Sequence, residues 1–171
     1  MDVRGIFRAV TFCGIVCASM AASASNFMDF QVIHPSFVGF SKTPAYFAIR
    51  SRDELETWAK QPLNDDVSQM PRGAPRLPLP HIDFDHFTLL IANAGTKGSS
   101  GFSVAFTSVF SLPSAIYANV VEIAPTGTTC AIMSIETHPV ALVLIPKTDQ
   151  PIQFNVSTAR TDCAEDRIIK V

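Results

Sequence analysis

The side chains best suited to chemistry in this chain crowd into six residues, His81-Ile82-Asp83-Phe84-Asp85-His86, which hold two imidazoles and two carboxylates. If the segment runs extended, alternation puts His81, Asp83 and Asp85 on one face and turns Ile82 and Phe84 to the other. One imidazole with two carboxylates is a ligand set for a divalent cation. Ligands two residues apart on a strand lie about 6–7 Å from each other, too far for one coordination sphere unless the backbone bends. The better reading is an exposed polar face leading into a buried strand, so no metal and no cofactor is expected.

Other chemistry is thinner. The loop Gly95-Thr96-Lys97-Gly98-Ser99-Ser100-Gly101 has the composition of a phosphate cradle but not the G-x-x-x-x-G-K-[ST] order, and a strand pattern follows it. A glycine-rich hairpin connection is expected there. Ser99 and Ser100 are not framed by G-x-S-x-G, and a flexible loop positions a nucleophile poorly. His34 and His138 each precede a proline, which suits extended turns. No catalytic residue is assigned, and an enzyme is not expected.

The elements that would carry these residues are mostly strands. Residues 25–44 read as irregular chain with one or two short strands, and Ala45–Arg50 as a strand by its aromatic and branched content. A helix follows, opened by the capping box Ser51-x-x-Glu54, carrying an apolar stripe of Leu55, Trp58 and Ala59, and ending by Pro62. Phe87–Ala92 is nearly all apolar and predicts a strand covered on both faces. Phe102–Phe110, Tyr117–Ile123, Cys130–Glu136, Val140–Ile145 and Pro151–Val156 complete the strands, separated by turn residues such as Leu112-Pro113-Ser114 and His138-Pro139. The fold class expected is mainly β (α+β), an antiparallel β-sheet or sandwich with one short capped helix.

Between the helix and the long β region, residues 61–80 hold five of the twelve prolines, together with Arg72 and Arg76. A stretch this long without internal structure is uncommon in a compact domain unless it is functional or disordered. Its stiffness would lower the entropy cost of docking. Arg72, Arg76 and Lys97 of the glycine-rich loop are the residues expected to contact a partner.

The N-terminus has the parts of a secretory signal: Arg4 and Arg8, an apolar run over residues 9–20, and Ala22-Ser23-Ala24, which places cleavage between Ala24 and Ser25. The apolar run is too short to span a bilayer, and Phe12 and Val16 before Cys13 and Cys17 do not suit lipid attachment. Removing residues 1–24 of 171 leaves 147, a single domain over 25–171. The signal takes two arginines and one aspartate with it, so 11 basic and 14 acidic residues remain and the net charge is −3. With no basic cluster, nucleic acid is not an expected partner; stable membrane insertion is not expected either. A periplasmic or secreted location is expected. Only Cys130 and Cys163 stay in the exported chain, and in an oxidising compartment two such cysteines most often pair. The bridge would close a loop of roughly 34 residues, for which the chain-entropy model gives about 3.5–4 kcal/mol before strain.

The order of several short pieces is also familiar: Asp83-Phe84, Leu89-Leu90-Ile91, Gly95-Thr96-Lys97, Gly101-Phe102-Ser103-Val104, Pro125, Cys130, Thr137-His138-Pro139 and Leu144-Ile145-Pro146-Lys147. Across residues 46–156 this resembles the C-terminal-domain family of PrcB, the accessory subunit of a secreted subtilisin-like protease complex. The resemblance implies a secreted or lipid-anchored accessory protein, without catalytic residues in the domain, that assists assembly or maturation of a partner protease. The chain departs from it in lacking a convincing lipid-attachment cysteine. The function expected is therefore an exported, non-enzymatic accessory or binding protein whose partner is another protein, such as a secreted protease. The alternative is a periplasmic module for a small ligand or metal around His81–His86.

Overall fold

The computed structural model describes residues 26–34, 41–60, 80–126 and 132–161. Within them the near-continuous apolar run Phe87–Asn93 forms β4, and six of its seven residues are at most 1 % exposed. A strand can bury both faces only in the middle layer of a stack, and that is where β4 lies. Its sheet runs β2(Gln31–Ile33)-β7(Val140–Pro146)-β4-β3(Ala45–Ile49), antiparallel throughout.

One face of this sheet meets a second sheet, β1(Asn26–Met28)-β5(Ser103–Ser111)-β6(Ile116–Pro125)-β8(Ile152–Thr161). Leu90, Ala92, Val143 and Ile145 pack there against Phe106, Val109, Ile116, Ala118 and Val120. On the opposite face Leu89, Ile91 and Leu142 pack against Leu55 and Trp58 of α1(Arg52–Lys60). The layers are thus helix, β2-β7-β4-β3 sheet, β1-β5-β6-β8 sheet, a mainly β fold with one short helix, as the sequence predicts.

Helix α1 starts where expected. Ser51 Oγ accepts from the Glu54 amide at 3.2 Å, and Glu54 Oε2 accepts in return from the Arg50 amide at 2.6 Å, one residue earlier than a standard capping box. Trp58 reaches the sheet edge-on to Phe47, 6.3 Å between ring centres.

Four expectations change. Residues 132–136 of the segment Cys130–Glu136 are not a strand; only Thr137 pairs, through an isolated bridge to Lys97. The last strand runs to Thr161, five residues beyond Val156, because β6 gives it a ten-residue partner. That β6–β8 pair is parallel, since the chain leaves β6, crosses through β7 in the other sheet and returns, so the sheets are not purely antiparallel. The Gly95–Gly101 loop is no hairpin connection: it carries the chain from β4 in one sheet to β5 in the other.

Among the described residues no helix is long and apolar enough to cross a membrane. The signal segment with Ala24 and Ser25, most of the proline-rich stretch with Arg72 and Arg76, and both Cys130 and Cys163 lie outside the described residues.

Candidate functional site

The acidic-imidazole segment folds as a turn. The amides of His86 and Phe87 both donate to the Asp83 carbonyl, at 3.2 and 2.9 Å. Asp83 Oδ1 accepts from the Asp85 amide at 3.0 Å, and Asp83 Oδ2 lies 2.7 Å from His86 Nδ1. That imidazole first, and the Asp85 amide second, hold the Asp83 carboxyl below the usual aspartate range. The extended face expected of His81, Asp83 and Asp85 does not form, because Asp83 turns to close the bend on its own residues. Ile82 is buried, and Phe84 is half-buried beneath the helix layer. No group of three His, Cys, Asp or Glu side chains suited to a metal occurs among the described residues.

A second assembly gathers at the other end of β4. The Gly95–Gly101 loop is clasped by residues 132–138: Lys97 and Thr137 exchange backbone bonds of 2.9 Å each way, Thr137 Oγ1 donates to the Ser99 carbonyl at 2.7 Å, and the Ser100 amide donates to the Met133 carbonyl at 3.1 Å. The Met133 amide donates to Ser100 Oγ at 3.0 Å. Two glycines are needed for this clasp. Gly95 has φ +74°, and a Cβ there would sit 2.9 Å from the Lys42 carbonyl oxygen. A Cβ on Gly101 would fall 2.6 Å from Ile132 Cγ2 and 2.9 Å from Pro125 Cγ. The clasp fixes a loop whose outward side chains, beside Ser134 and Glu136, include three large apolar ones: Ile132 is 39 % exposed, Met133 62 % and Ile135 47 %.

Behind this loop pair the two sheets are bridged by polar groups. Glu122 of β6 accepts from the Tyr46 hydroxyl at 2.9 Å and from Lys97 Nζ at 3.0 Å, and Lys97 also stands 5.7 Å over the Phe102 ring. Lys97 and Glu122 side chains are only 21 % and 18 % exposed. Burial, the hydrogen bond to Glu122 and its negative charge together push the Tyr46 phenol up to about 12. The Lys97 charge is therefore directed inward, and a partner contact through it would have to break this ion pair.

Nearby, Thr96 Oγ1, His138 and Glu136 line up as hydroxyl, imidazole and carboxylate, with Nδ1 3.4 Å from the hydroxyl and Nε2 3.2 Å from the carboxylate. The first separation exceeds the span of about 2.6–3.2 Å that an activated nucleophile and its base use. With Glu136 largely exposed, the line serves as a further fastening between the two loops. On the far side of the central sheet a shallow open cleft of about 340 Å³ lies between β3 and α1, lined by Phe47, Trp58 and Asp53 among others.

The sequence signal that would have exposed this arrangement was present but quiet. Ile132, Met133 and Ile135 looked like strand residues because apolar alternation does not reveal whether a pairing partner exists. Tyr46 and Glu122 are 76 residues apart, and nothing local ties them together. Comparison with protein-family models, with curated proteins and with solved structures finds no match.

Proposed function

We propose that this chain is an exported, non-enzymatic accessory protein that acts in the periplasm or outside the cell by docking on a protein partner, with a secreted protease as the partner class favoured by the PrcB-like order of its motifs. The observation that carries the reading is the trio Ile132, Met133 and Ile135, exposed yet held on a hydrogen-bonded loop pair. Large apolar side chains fixed in water are costly to keep, and a rigid loop bearing them gives up little entropy on binding. The neighbouring Lys97–Glu122–Tyr46 bridge stiffens the base of the same loops. Arg72 and Arg76 of the proline-rich stretch would add electrostatic contacts to an acidic partner.

The test starts from affinity purification out of cell-envelope extracts. The recovered partner is identified and its binding is then remeasured with both proteins pure. Met133→Asp with Ile135→Asp should weaken that purified interaction by about tenfold or more while leaving the thermal melt unchanged. Deleting residues 64–79 should weaken it independently. Purified binding that ignores both changes would remove the docking reading, as would failure to recover any partner at near-equal amount.

A further inference from the structure

Sheets need their edges finished, and among the described residues three of the four edge strands are. β1 and β2 are three residues long and β3 is five. The flank of β5 that β1 leaves bare is bulged between Phe106 and Ser108, which bends it away from flat pairing. β8 is different. It spans ten residues, pairs only with β6 among the described strands, and exposes every residue from Asn155 to Arg160. It contains no proline or lysine, and its pairing with β6 runs through all ten residues without a register shift. These are the devices that normally guard an edge.

We propose that β8 is a self-pairing edge, joining two copies of this chain through an antiparallel two-fold contact centred on Val156. Three features select a second copy as the occupant. First, Val156 is 44 % exposed although it follows the core-facing alternation of Phe154, and at the dyad each copy's Val156 covers the other's. Second, in this register Phe154 faces Thr158 and Asn155 faces Ser157, so core-side residues meet core-side residues and the β1-β5-β6-β8 sheet continues into its mate. Third, charge is self-complementary. The exposed Asp149 precedes the strand and the exposed Arg160 stands near its end, so reversal brings each Arg160 toward the other copy's Asp149 and keeps like charges apart. One strand edge is a small contact, in the size class of weak interfaces, so monomer and dimer exchange at micromolar concentration.

Sedimentation velocity and light scattering on the purified protein, across concentrations up to several hundred micromolar, test this. Wild type should pass from monomer to dimer. Val156→Lys should weaken dimerisation by about tenfold, because the change enters twice and opposes two ammonium groups at the dyad. Arg160→Asp and Asp149→Arg should each weaken it, and the double variant should restore it. All three positions are exposed, and thermal melts verify that each variant folds. A protein that stays monomeric throughout overturns the proposal. So does a dimer indifferent to Val156→Lys, or one that the charge exchange fails to rescue.

Discussion

The two sheets are treated differently by the rest of the molecule. The β2-β7-β4-β3 sheet is covered twice, by α1 on one side and by its fellow sheet on the other, and its central strand is apolar on both faces. The β1-β5-β6-β8 sheet is covered once among the described residues. Its outer face holds a stacked pair, Phe110 and Tyr117, 5.3 Å apart, beside the amide chain Asn155 to Asn119 to Ser108. The doubly covered sheet supplies stability. Among the described residues, the singly covered sheet keeps one face and one long edge with no layer or strand against them.

Truncating the same kind of side chain in each sheet should separate them most strongly. Leu89 is fully buried between sheet and helix, so Leu89→Ala should cost about 3 kcal/mol in urea unfolding. Val121→Ala, on the outer face of β6 where the residue is half-exposed, should cost less than about 1 kcal/mol. Equal losses would mean that the outer face is as tightly packed as the centre.

The connection between the sheets is the next place to press. Gly95 turns the chain out of β4 with a positive φ, and its own amide donates to Asn93 Oδ1 at 2.8 Å. Gly95→Ala adds the left-handed backbone penalty to a contact with the Lys42 carbonyl and should cost about 1–3 kcal/mol. Gly98→Ala in the same loop has open space and a permissive φ, and should cost under about 1 kcal/mol. A smaller effect belongs to the helix that covers the central sheet. Ser51→Ala removes the acceptor for the Glu54 amide and should cost about 1 kcal/mol, with Ser51→Asp retaining most of the stability.

This division was partly visible in the chain itself. Phe87–Asn93 announces double coverage because Thr88 alone interrupts the apolar run before Asn93, and Ser51 with Glu54 announces a helix start. Both are local patterns. What escaped depends on neighbours far along the chain. The end of β8 is polar and reads as a tail, and only its pairing with β6 makes it a strand. Asp83 reads as part of an extended, exposed polar face, but its carboxylate closes a turn on its own neighbours. Lys97 reads as a partner contact on a glycine loop, and its pairing with Glu122, 25 residues later, has no local signature.

The Glu122 bridge is where the two sheets are joined by charge and hydrogen bonding, and pH should loosen it. Tyr46 ionises at about 12 in the folded protein against an ordinary 10.0, so the folded state prefers the neutral phenol. A raised value means that this contribution is complete below pH 10 and is lost as pH climbs from there through about 12. The chain has two tyrosines, Tyr46 and Tyr117, so a phenolate absorbance titration of Tyr46→Phe isolates the second and the difference from wild type reports the first. Wild type should lose stability relative to Tyr46→Phe across that alkaline window, and the two should run parallel below it. Glu122→Gln removes the charge that opposes ionisation and should draw the Tyr46 midpoint back toward 10.0, though not fully, because burial is the largest cause of the shift and remains. A midpoint unmoved by Glu122→Gln would leave burial and the hydrogen bond as the causes and take away the charge-dependent part of the link between the sheets.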